Sequence, residues 1–174
     1  MPRIRPVSHL LLAGGLAVWL ALAAAPPVHA CSCMAPGPSG VELEKADAVF
    51  LGRVVAVETR EREVREIRSF FSQHHVTFEL EKVWKGCEEG ETVTVTTASD
   101  GAACGYGFAE GESYLVYAYA VGRDAEGGTD AGDAPQLTTN LCTRNAPRER
   151  AGEDLEALGE PLRVVTGEPS GEVR

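Results

Sequence analysis

Apolar and polar residues alternate most regularly between His75 and Trp84, where Val76, Phe78 and Leu80 fall on one face and Thr77, Glu79 and Glu81 on the other. Successive side chains of an extended chain point to opposite sides, so this segment is expected to be a half-buried strand. Ala48 to Val57 is apolar on both faces, which predicts a strand in the middle of a sheet, with Gly52 marking a bulge or sharp bend. Thr92 to Thr96 alternates again, and Ser113 to Tyr119 carries β-forming residues throughout. Gln136 to Cys142 is expected to be a fifth strand.

The intervening segments have different patterns. Pro36 to Gly40 reads as a loop, and Val41 to Ala46 as one short helical turn. Thr59 to Ser72 is highly charged and fits an exposed hairpin extension or a helical turn, with its charges on a solvated face. Lys85-Gly86 turns the chain. Val121 to Pro135, rich in Gly and Asp, reads as a mobile hairpin loop; its aspartates lack the spacing of a calcium-binding loop. A helix is expected late in the chain, with Asn145 as its cap and Pro147 in its first turn. Ala151, Leu155 and Leu158 make its apolar stripe, and Gly159 and Pro161 end it. Residues 160–174 read as a disordered tail. Five strands and a late helix predict a mainly β domain over residues 31–159, a five-stranded OB-fold-like barrel with a C-terminal helix. Fold alone leaves function open.

Residues 1–30 have the composition of a cleavable signal peptide. Arg3 and Arg5 precede an apolar run from Leu10 to Ala25, and Val28-His29-Ala30 makes a cleavage site. The run is too short and too rich in small residues for a membrane span, and no other segment is long and apolar enough. Removal after Ala30 leaves 144 of the 174 residues, enough for one domain with a core. A cysteine directly after a signal is also the position of a bacterial lipid anchor. His29 stands where such acceptor sequences carry a small residue, so ordinary cleavage and a secreted, extracellular or periplasmic location are preferred. Loss of the two arginines takes the net charge from −10 to −12. That acidity argues against nucleic acid or an anionic membrane as a partner, and the exported chain is expected to be a monomer.

All five cysteines, Cys31, Cys33, Cys87, Cys104 and Cys142, follow the signal. In an oxidising compartment they favour two disulfides and one leftover thiol. Cys31 and Cys33 are expected to point to different faces and so to bridge to different distant partners, though spacing alone does not choose the pairs. A metal bound within the chain, by the C-x-C thiolates with His74 and His75, lacks the usual ligand spacings, and no cofactor is expected. The adjacent histidines read as surface residues opening a strand. No nucleophile elbow, phosphate-binding glycine loop or zincin motif is present, so an enzyme is not expected.

The residues resemble the netrin-like domain family, and within it the N-terminal domain of the tissue inhibitors of metalloproteinases. The likeness rests on Cys31-Ser32-Cys33 at the processed terminus, Ala46-Asp47-Ala48-Val49-Phe50 opening the first strand, Cys104-Gly105, Tyr114-Leu115-Val116, and Leu141-Cys142. The resemblance implies an OB-type barrel with bridges Cys31–Cys104 and Cys33–Cys142. It implies inhibition of an extracellular zinc metalloprotease whose catalytic zinc, belonging to the target, is chelated by the backbone amine and carbonyl of Cys31. Ser32 would enter the pocket beyond the scissile position, and Cys33, Met34, Ala35, Ala102 and Ala103 would complete the contact ridge. The third disulfide and the cysteine-rich C-terminal domain of those inhibitors are missing, and Cys87 matches no partner position. The alternative is a non-inhibitory extracellular netrin-like binding module in which the C-x-C only staples the fold.

Overall fold

The computed structural model describes residues 31–64, 69–87, 90–121 and 136–165. The expected signal peptide, nearly all of the expected loop from Val121 to Pro135, and residues 166–174 lie outside the described residues. The elements are α1 (Ser39–Lys45), β1 (Ala48–Val64), β2 (Ser69–Lys85), β3 (Thr92–Ala98), β4 (Ser113–Ala120), β5 (Leu137–Thr138), β6 (Ala146–Pro147), α2 (Gly152–Leu158) and β7 (Arg163–Val164), with 3-10 turns at Gly101–Ala103 and Arg148–Arg150. The protein is mainly β.

The hydrogen-bonded order β1–β2–β3–β5–β4 returns to β1 through an antiparallel β1–β4 ladder, so five strands form a closed ring. β1 is paired on both edges, as its two apolar faces require. Ala48, Phe50 and Val54 point into the ring, where they meet Val76, Phe78, Leu80 and Val83 of β2, Val95 of β3, and Tyr114, Val116 and Ala118 of β4. Val49 and Leu51 point outward, with Leu115 and Tyr117, onto Leu43, Ala46, Ala151, Leu155 and Leu158 of the helical layer. The β1–β2 register shifts at Gly52, where a Cβ would sit 3.0 Å from the Glu79 carbonyl oxygen and 3.2 Å from Phe78 Cβ. The small residue lets two backbones approach where the strand bends. Phe50 meets Phe78 edge-on at 5.3 Å, and Phe78 meets Phe108 of the loop before β4 at 5.1 Å, so that loop packs against the interior cluster.

Of the charged segment from Thr59 to Ser72, residues 59–64 and 69–72 extend the β1–β2 ladder, with Val64 opposite Ser69. His74 and His75 therefore lie within β2, opposite Thr59 and Glu58, and do not open a strand. The expected fifth strand shrinks to Leu137–Thr138, which pairs parallel to β3 and antiparallel to β4. Thr139 to Asn145 instead combines a few backbone bonds, such as Thr139 N–H to the Thr96 carbonyl, with side-chain bonds. Thr139 Oγ1 donates to the Tyr117 carbonyl (2.8 Å), and Asn145 Oδ1 accepts from the Tyr117 N–H (2.9 Å). Asn145 is thus committed to β4 and does not cap a helix; Pro147 belongs to β6, and α2 begins at Gly152. The start of the expected tail is also ordered: Arg163 and Val164 pair with Val83 and Lys82.

Glu42 of α1 ties this helix to its surroundings. Its Oε1 accepts from the Gly37 N–H (3.0 Å) and from Lys45 Nζ (2.9 Å), and its Oε2 accepts from the Tyr119 hydroxyl (3.3 Å). The Lys45 hydrogen bond holds its carboxyl below the usual range, against the opposing effect of burial. A carboxylate with a lowered folded pKa contributes stability above the unfolded value of about 4.3 and loses it as pH falls through the folded value. Glu42→Gln is therefore expected to melt below the parent at pH 7, with the gap in Tm closing below about pH 4. A gap independent of pH would assign the effect to packing.

Candidate functional site

One rim of the ring collects three segments without strand structure: residues 31–38, the turn at Gly101–Ala103, and the stretch after β5. The turn is capped by Asp100, whose Oδ1 accepts from the Ala103 N–H (2.9 Å). It ends at Cys104 in the left-handed region (φ 61°). The next residue, Gly105, donates to the Asp100 carbonyl (2.8 Å), and a Cβ on it would fall 2.0 Å from the Ala98 carbonyl oxygen. Only glycine lets the loop lie this close to the end of β3. Gly105→Ala is expected to cost about 3 kcal/mol, the upper end for overpacking a rigid site, and to displace Cys104; denaturant unfolding measures it, and a loss below about 1 kcal/mol would mean that the loop can shift freely.

The structure pairs Cys31 with Cys104 and Cys33 with Cys142, the pairing that the resemblance implies, at Cα separations of 5.2 and 5.1 Å. The loops carrying Cys104 and Cys142 are also joined directly, since the Leu141 N–H donates to the Cys104 carbonyl (2.8 Å). The expectation that Cys31 and Cys33 face apart is corrected. Their sulfurs are 3.9 Å apart, on one side, as residues two apart in an extended segment stand. They still bridge to different partners, because each sulfur meets its own loop.

Ser32, Cys33, Met34 and Ala35 are exposed, Met34 by 90%, and so are Ala102 and Ala103. Cys31 is half-buried. Ala102 and Ala103 directly precede the cysteine that holds Cys31, so the two parts of the anticipated ridge share one rim. The sequence reading missed Leu141, which is 48% exposed next to the second bridge and had been placed inside a strand.

It also missed the group that holds the chain just past the C-x-C. Arg144, two residues after Cys142, donates from Nη1 to the Gly37 carbonyl (2.8 Å) and from Nε and Nη2 to Asp154 Oδ1 (2.9 and 2.6 Å). Ser39 Oγ donates to the same oxygen (2.7 Å). The Asp154 bond raises the Arg144 pKa further above its ordinary value. Burial, and then the Asp154 charge, push the neighbouring Tyr117 phenol up to about 12. The hydrogen-bonded partners are 10 to 115 residues apart in sequence, and no local pattern signals them.

Cys87 stands outside both bridges, half-buried against the ring interior, and burial raises its thiol pKa. Among the described residues, no helix is long and apolar enough to cross a membrane. The sequence matches no family model and no curated protein.

Proposed function

We propose that this chain is a secreted inhibitor of zinc metalloproteases, acting through the α-amine and carbonyl of Cys31 as the first residue of the processed chain. One observation carries the reading: Cys31-Ser32-Cys33 lies on an exposed rim, bridged at both cysteines to two different loops that are themselves hydrogen-bonded together. A segment fixed before contact pays little ordering entropy on association. A catalytic zinc keeps one coordination position open for water or substrate. An amine with a pKa of roughly 7.7–8.0 gives up its proton to a metal near neutral pH.

In this reading the five-strand ring is an OB-type, netrin-like barrel, and the small Ser32 side chain enters the pocket beyond the scissile position. Cys33, Met34 and Ala35 continue the contact along one side, with Ala102 and Ala103 beside them. The partner is an extracellular zinc metalloprotease, and the zinc is the partner's own. The missing third disulfide leaves the ridge intact, because Arg144, Asp154 and Ser39 hold the segment after the C-x-C by hydrogen bonds.

The test is a titration of the oxidised, processed chain against a panel of zinc metalloproteases, with a variant carrying one extra alanine before Cys31 alongside. Inhibition by the parent alone supports chelation. Equal inhibition by both points to a different surface. Inhibition by neither favours the non-inhibitory binding module, in which the two bridges only staple the N-terminal segment.

A further inference from the structure

Three of the four bridged cysteines, Cys31, Cys33 and Cys142, bring their sulfurs together at the rim as one cluster. Cys31 Sγ is 3.9 Å from Cys33 Sγ and 3.9 Å from Cys142 Sγ, and these three sulfurs all lie within 4.8 Å of one another. The fourth, Cys104, is bonded to Cys31. Zinc–thiolate bonds of about 2.3 Å place the sulfurs of a tetrahedral site about 3.8 Å apart. The two separations from Cys31 Sγ across the bridges, 3.9 Å each, already match that edge.

We infer that the reduced chain holds one soft divalent d10 ion, of the zinc and cadmium type, between the thiolates of Cys31, Cys33, Cys104 and Cys142. This site is separate from the proposed contact with a protease's zinc, and it uses the Cys31 side chain, not its amine. Reduction by a phosphine breaks each S–S bond, oxidises the phosphine to its oxide with oxygen from water, and leaves two thiols per bridge. The ion then takes four thiolates and releases four protons.

The fold keeps these thiols close without the bridges. The Leu141 N–H to Cys104 carbonyl bond holds two of the loops together, and the Thr139 N–H donates to the Thr96 carbonyl of β3 (2.9 Å). Arg144 grips the Gly37 carbonyl, four residues beyond Cys33. Soft thiolates in a closed set of four select such an ion over calcium or magnesium. Cys87 takes no part, since its carbonyl is held by Arg163 at the end of β2 and its side chain packs on the ring interior.

The experiment titrates the full chain with Cd(II), anaerobically and after phosphine reduction, following thiolate-to-metal charge-transfer absorbance and native mass. Far-UV circular dichroism verifies that the reduced ring stays folded. One ion per chain is expected, with no band for the oxidised chain, and the Cys87→Ser variant is expected to bind as the parent does. Loss of an outer-sphere partner alone costs about 10–100-fold in affinity, so Cys33→Ser and Cys142→Ser should each weaken binding by about a hundredfold or more. No band, several ions per chain, unchanged affinity in both serine variants, or equal affinity in urea-unfolded chain would each overturn the inference, as would a reduced chain that unfolds.

Discussion

One alanine added before Cys31 is expected to raise the inhibition constant against a susceptible metalloprotease by about a thousandfold, or about 4 kcal/mol. The addition turns the terminal amine into an amide, whose nitrogen has no free electron pair for zinc. It also places a methyl-bearing residue where the metal must approach. The bridges and the rim loops are untouched, so stability should not change, and a denaturant curve on the same sample verifies this. Affinity of the native terminus should also fall as pH drops below about 8, because zinc must compete with one proton on the amine. A flat pH profile, or inhibition that survives the extension, would remove Cys31 from the mechanism. The exposed Met34 and Leu141 would then be the place to look for a contact surface.

Replacing Cys33 and Cys142 by serine is expected to lower the unfolding free energy by about 4 kcal/mol, from a bridge spanning 109 residues. The chain-entropy argument alone gives slightly more, but the loop closed by Cys31–Cys104, 73 residues apart, overlaps it and shares the constraint. Small domains have about 5–15 kcal/mol in total, so this one change should be visible as a large drop in denaturant midpoint. Inhibition should weaken as well, since the span between the Cys31 bridge and the Arg144 bond at Gly37 would lose its middle anchor and have to be ordered on binding. A loss below about 1 kcal/mol would mean that Arg144 and α1 hold the segment without help from the bridge. The two effects separate cleanly, because the alanine extension removes chelation at constant stability and the serine pair removes order at constant terminal chemistry.

Four of the strands were legible in the sequence, two from period-two alternation, one as a run apolar on both faces and one from β-forming residues throughout. Val76, Phe78 and Leu80 share the interior face that the alternation gives them, and Phe50 inside with Val49 and Leu51 against the helices uses both faces of a two-faced strand. The fifth strand was not legible in its true length. Leu137–Thr138 pairs only because β3 and β4 leave a gap of strand width between them, which no local pattern records. The same limit explains the misplaced helix start. Asn145 has the composition of a cap, but the Tyr117 N–H claims its side chain first.

What the sequence determined by itself was the hydrophobic alternation, the turn at Gly86, and the presence of two cysteines at one point of the chain, all of which depend on near neighbours. The tertiary structure decided the ring closure, the rim shared by residues 31–35 and 101–104, the tight seat of Gly105 and the Arg144–Asp154 clamp. These join residues far apart in sequence. Their energies depend on loops being brought together, and that is settled only when the whole ring has closed.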